Sequence, residues 1–281
     1  MAKYLKKFSS HTQYETYMGG DVILPNVSHC VEENDVHYNR LDPYNGHAYV
    51  DLGLQSGTLW AKKNVGASNE TDAGLYFAWG ETQGYTASQV GSDKNFSWSD
   101  YAFGSSSPFS KYDTDGLDHL ELTDDAASVN MGGEWHMPNR AQMVELFSGT
   151  TNGFINSSGV FTQYGNWDSA NWYNEPTTTT AQTSFGTAGH IFFKTTYASV
   201  SDAINASDYL FIPAAGGCKD GSVRVVGDYG YLWGSALSAE DVSRAWYFYF
   251  YGVEAGVYSG YGRYFGRSVR GVVGQKTEIN K

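Results

Sequence analysis

The sequence predicts an α+β domain built on a twisted antiparallel sheet, with one or two helices and long ordered loops. Three observations point there. Short apolar runs broken by glycine recur through most of the chain, in which 33 of 281 residues are Gly and Tyr is the commonest aromatic. One segment carries a helix start signal with an apolar stripe behind it. Long polar stretches without periodicity lie between the runs. The mixture, 41% hydrophobic and 17% charged, suits short strands and many turns and is far from that of a disordered chain.

Taken in order, residues 9–18 are expected to form a short helix: Ser10 can cap, Gln13 stands three residues on, Tyr14 and Tyr17 share a face, and Gly19-Gly20 stops it. Extended segments around Val22–Leu24 and Val27–Val31 follow, then a polar turn near Glu32–Asp35 and a loop with Pro43, Asn45 and Gly46. Residues 1–45 read as a small attachment or assembly segment, or alternatively as a strand and helix packed on the main domain.

From His47 the strand-length runs are Ala48–Leu54, Leu59–Ala61, Leu75–Trp79, Ile191–Lys194, Tyr209–Ile212, Val223–Val226 and Trp246–Tyr251, each with β-branched or aromatic content. The helix begins after Pro138, with Asn139 as cap, Gln142 at the capping-box position and Met143, Leu146 and Phe147 as its stripe. Residues 82–130 and 148–188 read as irregular polar stretches held by aromatic anchors, for which Trp98, Tyr101, Trp167 and Trp172 are available. Residues 46–273 are the main domain and 274–281 a polar tail.

Charge and chemistry narrow the function. A net charge of −12, with no Lys/Arg stripe to offset it, repels nucleic-acid backbones and anionic membrane surfaces. No run is long and apolar enough to span a bilayer, and the basic start at Met1–Phe8 has no apolar run behind it, so no signal peptide is expected. The chain is then expected in the cytoplasm where it is made, or assembled into a particle such as a virion. Two distant cysteines, Cys30 and Cys218, exclude a disulfide framework and a Cys-rich zinc site, and Cys218 reads as an incidental loop residue. The seven histidines show no metal spacing, and His136 reads as structural. Asp113, Asp115, Asp118 and the Asp124-Asp125 pair read as solvated turn carboxylates, with a structural cation as the alternative. No catalytic order of residues emerges, so the expectation is a non-enzyme without cofactor or metal.

The segment Trp246-Tyr-Phe-Tyr-Phe-Tyr251 carries the positive signal. In a strand, Trp246, Phe248 and Phe250 face one side and Tyr247, Tyr249 and Tyr251 the other. The first set suits a core; the second can offer a partner both ring and hydroxyl. Gly252, Glu254, Gly256, Tyr258, Ser259, Gly260, Tyr261, Gly262 and Tyr264 continue the pattern. Tyr, Ser and Gly are what antibody loops use, since Tyr supplies rigid amphipathic area at small entropic cost. The plain alternative is a Tyr-lined strand and Gly-rich turn that merely pack.

Several motifs resemble a known family. They are Tyr49-Val-Asp-Leu-Gly-Leu-Gln-Ser-Gly-Thr-Leu-Trp-Ala61, Tyr76-Phe-Ala-Trp-Gly-Glu-Thr82, Asp124-Asp-Ala-Ala127, Gly132-Gly-Glu-Trp-His-Met-Pro138, Phe211-Ile-Pro-Ala-Ala-Gly216 and Gly266-Arg-Ser-Val-Arg-Gly271. They resemble, in the same order, the paralogous C-type-lectin-fold domains of Bacteroidetes and their phages, a fold shared with formylglycine-generating enzymes and with variable proteins of diversity-generating retroelements. Pro25-Asn-Val-Ser-His-Cys30 and Val36-His-Tyr-Asn39 resemble a segment that precedes such domains.

The resemblance implies a C-type lectin fold and a ligand-binding surface rewritten by a reverse transcriptase acting on adenines in the 3′ end of the gene. Variable positions would be Tyr231, Asp241, Ser243, Tyr247, Tyr249, Tyr251, Gly252, Glu254, Tyr258, Gly260, Tyr261 and Tyr264. Fixed scaffold positions would be Trp246, Phe248, Phe250, Arg263, Gly266, Ser268, Val269 and Arg270. The implied role is a phage tail or virion adhesin, or a related bacterial binder, for a protein or glycan receptor on a cell surface, with self-assembly by analogy to fibre proteins. A fixed-specificity adhesin of the same fold is the alternative. An oxidase of the formylglycine-generating kind lacks its close cysteine pair. Calcium-dependent sugar binding lacks its ligand loop, because Met137-Pro138-Asn139 keeps only Pro-Asn.

Overall fold

The computed structural model describes residues 44–165 and 185–274 in full, and the strands at 5–10, 13–16, 27–33, 36–41, 173–174 and 176–181 by their backbone. The first four strands, β1 (Leu5–Ser10), β2 (Gln13–Thr16), β3 (Val27–Glu33) and β4 (Val36–Leu41), pair antiparallel in the order β2-β1-β4-β3. The helix expected over 9–18 is therefore a strand pairing instead. Its register sets Phe8 opposite Tyr14 and Lys7 opposite Glu15. A one-turn capping signal without a long apolar stripe is a weak helix signal on its own. β3 matches the extended reading at Val27–Val31 and runs on through Glu33, beyond the start of the expected turn. Val22–Leu24, Trp167, Trp172 and the tail from 275 lie outside the described residues.

β5 (Tyr49–Asp51), β6 (Leu59–Ala61) and β7 (Tyr76–Phe77) form where apolar runs lie. α1 (Ala126–Met131) is capped by Asp125, a fully buried carboxylate that also accepts from the Met137 N–H at 2.8 Å. α2 (Arg140–Ser148) starts as its sequence requires: Asn139 Oδ1 accepts from the Gln142 N–H at 2.9 Å and Gln142 Oε1 from the Asn139 N–H at 3.0 Å. β8 (Thr150–Ile155), β9 (Val160–Tyr164), β10 (Tyr173–Asn174) and β11 (Pro176–Ala181) then occupy much of the stretch read as irregular. Polar strands hid there because Thr, Asn and Gly blur the alternation. At Gly153 a Cβ would meet the Thr162 carbonyl at 2.3 Å, so the close approach of β8 and β9 needs glycine.

β12 (Gly189–Lys194), α3 (Val200–Asn205), β13 (Tyr209–Pro213), β14 (Gly217–Lys219), β15 (Ser222–Arg224), β16 (Gly230–Leu237), β17 (Arg244–Tyr251), β18 (Glu254–Gly262), β19 (Arg267–Ser268) and β20 (Val272–Val273) complete the chain. Among the described residues there are three α-helices where one or two were expected, and the class is α+β with sheet dominant. α3 escaped notice because its six residues are too short for a stripe; Ser199 caps it.

The six-stranded sheet has the order β10-β18-β17-β16-β19-β7, and a five-stranded sheet has the order β11-β9-β8-β12-β13. Alternation along β16 and β17 divides the six-stranded sheet between two cores. Leu232, Phe248 and Phe250 pack with Leu146 and Phe147 of α2 and with Phe192 and Ile212 of the second sheet. Trp233, Ala245 and Tyr247 pack on the other side with Trp79, Trp135 and Val269.

Buried arginine fixes the connections. Arg270, fully buried, donates to Asn64 Oδ1 at 2.8 Å and to the carbonyls of Ala61 at 2.9 Å and Phe211 at 3.2 Å, joining three distant segments. Arg263 lies over the Phe109 ring at 4.0 Å and donates to the Tyr112 carbonyl at 3.0 Å. Of the expected loop anchors, Tyr101 is buried and donates to the Trp79 carbonyl, while half-buried Trp98 packs on Tyr264 at 4.5 Å and Phe109 at 5.5 Å.

Candidate binding face

Where β16, β17 and β18 lie side by side, their register sets Tyr231 opposite Tyr249 and Tyr249 opposite Gly256. The next row is Trp233, Tyr247 and Tyr258. Both rows belong to the second core or pack on it, away from α2. Tyr231, Tyr249 and Tyr258 are half-buried and rest on that core. Their rings form one connected sheet of aromatic surface. Tyr249 meets Tyr258 at 5.0 Å edge to face, Tyr229 stacks on Tyr251 at 4.7 Å and on Tyr231 at 5.9 Å, and Tyr261 meets Tyr247 at 5.2 Å.

Most of the expected site residues come together here, in different depths. Tyr231, Tyr249, Tyr251, Tyr258 and Tyr261 reach the surface, and Tyr261 is the most open of them at 38% exposure. Tyr247 is a correction to its place on an open face, for it is only 4% exposed. Trp233 edge-on at 6.0 Å and Tyr261 over it enclose its ring, so it underlies the face. Trp246, expected in the core, is only half-buried and stacks under the Arg140 guanidinium at 4.2 Å. Gly260 sits where a Cβ would lie 3.6 Å from the Tyr247 hydroxyl.

Gly252 and Glu254 lie at the β17–β18 turn. Beside that turn a cleft of about 460 Å³ opens between Phe154, Asn156, Ala188, Asp228, Tyr229 and Gly252. Asp241 and Ser243 stand before the far end of β17, where the Asp241 carboxylate accepts from Ser243 N–H and Oγ and pairs with Arg244 Nε at 3.0 Å. They close a turn there, and no ring contact joins them to the tyrosines. Tyr264 belongs to the neighbouring cluster on Trp98 and touches the face through Phe265 at 4.6 Å. Burial pushes the phenol pKa values of Tyr229, Tyr231, Tyr247 and Tyr258 upward, so these hydroxyls stay protonated and can donate.

Two residues of the face were not foreseen. Tyr229 lies just outside the aromatic run, and its stacking on Tyr231 and Tyr251 was legible only once β16 and β17 were paired. Arg267, inside the Gly-Arg-Ser-Val-Arg-Gly motif, is 2% exposed and lies among Tyr231 at 4.1 Å, Tyr247 at 4.3 Å, Tyr261 at 4.5 Å and Trp233 at 4.9 Å. An arginine so enclosed, on the same side as the tyrosines, supplies a positive charge beneath the face.

The remaining polar candidates have local duties. Asp113 accepts from Ser107 and from the Phe109 N–H, Asp115 from the Tyr112 and Leu117 N–H groups, and Asp124 pairs with Lys111 and Tyr112. Asp125 is buried in the α1 cap, which corrects its reading as solvated. Cys218 lies buried in β14, which corrects its reading as a loop residue, and burial pushes its thiol up to about 12. His136 is buried with Nδ1 at 2.9 Å from the Met137 carbonyl. Among the described residues no three His, Cys, Asp or Glu side chains gather as a metal site, and no helix is long and apolar enough to cross a membrane. Comparison with family models, characterised proteins and solved structures returns no match.

Proposed function

We propose that this chain is a receptor-binding protein, a phage tail or virion adhesin of C-type lectin fold, whose tyrosine face on β16–β18 makes the contact and is diversified between copies of the gene. The observation that carries the reading is the connected set of half-buried rings at Tyr229, Tyr231, Tyr249, Tyr251 and Tyr258, resting on a packed core. Rigid aromatic surface of this kind supplies contact area with little loss of side-chain entropy on binding. The division of labour along β17 supports diversification: Phe248 and Phe250 hold the fold from below while Tyr249 and Tyr251 stand above, so face residues can change without disturbing the core.

The order of motifs and the mixed sheet architecture support the lectin-type fold. Cys218 favours binding over an oxidase of that fold, because a buried thiol with a raised pKa is a poor nucleophile. The receptor is a protein or glycan on a cell surface, and several weak copies in one particle would reinforce one another.

Binding of the fluorescently labelled chain to bacteria from its source community tests the reading. Wild type is expected to label a subset of cells, and the Tyr249→Ser/Tyr258→Ser variant, still folded by circular dichroism, to lose at least about tenfold in affinity. Equal labelling by both would remove the face from the account. A fixed set of face residues across the population would instead favour an undiversified adhesin.

A further inference from the structure

Arg267 is fully enclosed, yet its Nε and Nη1 have no hydrogen-bond partner. The groups that bear most on its charge are Tyr247, Tyr231, Tyr261 and Cys218, none of them a carboxylate. Rings stacked on a guanidinium attract its charge but leave its in-plane donors unmet. Buried donors without partners are rare in folded proteins, and at a functional surface they mark a place where an acceptor arrives.

The other buried arginines differ from it in donor satisfaction or in place. Arg270 has all of its donor groups directed at oxygens, whereas Arg263 spends Nη1 on backbone carbonyls and, like Arg267, leaves two nitrogens without a partner, but its rings are Trp79, Tyr101 and Phe109 of the neighbouring loops. Among the described arginines, Arg267 is the one caged by Tyr231, Tyr247 and Tyr261 of the face. The most open wall of its cage is Tyr261, 38% exposed and flanked in sequence by Gly260 and Gly262; Tyr231 and Phe265 are half-buried, and Trp233 and Tyr247 are buried.

We propose that Arg267 is the recognition point for a carboxylate on the ligand, reached by displacement of the Tyr261 ring. This rests on the tyrosine face being the binding surface and names the chemistry it selects. A carboxylate is planar and acceptor-only, which matches guanidinium donors, and the rings of Tyr231 and Tyr247 hold that cation in place. A monoanion is favoured over a phosphate dianion because the chain carries −12 overall. The Tyr261 lid makes the charge available to a ligand that fits the face and hides it from small anions in solvent.

Nitrogen-15 NMR of arginine Nε–H groups in the full chain tests this. The Arg267 resonance is assigned by its loss in Arg267→Lys. Glucuronate and N-acetylglutamate amide are titrated against glucose and N-acetylglutamine amide. At least one acid is expected to move that resonance saturably while its neutral counterpart does not, and the acid that acts tells a glycan source from a peptide source. Tyr261→Ala, which removes the lid and leaves Arg267 in place, is expected to tighten the apparent Kd at least about fivefold by removing the cost of opening. A resonance unmoved by both acids, moved equally by the neutral compounds, moved more by inorganic phosphate, or bound more weakly in Tyr261→Ala overturns the proposal. The titration reads Arg267 directly, so a silent titration with intact cell labelling removes the carboxylate site alone. A positive titration with failed cell labelling removes the receptor reading alone.

Discussion

His190 makes the stability of this fold acid-sensitive. Its ring is fully buried among Phe147, Tyr164, Phe192 and Phe250; Nε2 meets Asn152 Oδ1 at 2.9 Å and Nδ1 has no partner. Burial lowers its pKa from 6.5 to about 3, because the enclosed ring strips the imidazolium of water and no charged group offsets that loss. The folded value lies below the unfolded one, so the unfolded chain takes up the proton first as pH falls. The stability that neutral His190 lends is complete above pH 6.5 and is lost progressively toward pH 3. Each pH unit in that window removes up to about 1.4 kcal/mol, which makes the loss between pH 7 and pH 5 about 2 kcal/mol. Urea unfolding followed by tryptophan fluorescence at both pH values measures it. His190→Asn, which cannot titrate, sets the baseline from every other group, including Asp100, Asp208 and Asp241, whose lowered pKa values also remove stability in acid. Wild type should lose about 2 kcal/mol more than the variant over that interval. Parallel losses in both proteins would refute the argument, since His190 would then titrate alike in both states.

Two substitutions test other parts of the frame. Gly230→Ala would set a Cβ 2.1 Å from the Phe250 ring at the middle of the first core, and should cost about 1–3 kcal/mol in urea unfolding; a neutral result would mean that Phe250 repacks freely. Asn139→Ala removes the reciprocal cap of α2 and should cost about 1 kcal/mol without changing cell labelling, because α2 lies on the side of the sheet away from the tyrosines.

The sequence made the parts with strong local signals legible. The α2 start at Asn139 needed only its own four residues, and the split of Phe248 and Phe250 from Tyr249 and Tyr251 needed only the period of a strand. β8 to β11 were hidden because Thr and Gly carry little pattern, and the pairing of β8 with β12 and of β10 with β18 is a long-range fact. The strands at 5–16 were misread for the same reason: a helix cap is local, while the pairing of β1 with β4 lies thirty residues away. In the candidate site, the Tyr residues were visible as composition, but depth was not. Tyr247 sank because Trp233 and Arg267 lie next to it, and both neighbours come from other strands. Arg267 itself was passed over inside its motif, since nothing in one sequence tells a caged arginine from a solvated one.

Sequencing of the 3′ end of the gene across its source population tests the central claim most directly, because it reads which positions the protein can exchange. The account expects substitutions at the codons of Tyr231, Tyr249, Tyr251, Tyr258 and Tyr261, with an adenine-bearing near-copy close by, and none at Phe248, Phe250, Arg263 or Arg270. Substitutions scattered evenly over face and core, or confined to the buried positions, would contradict it.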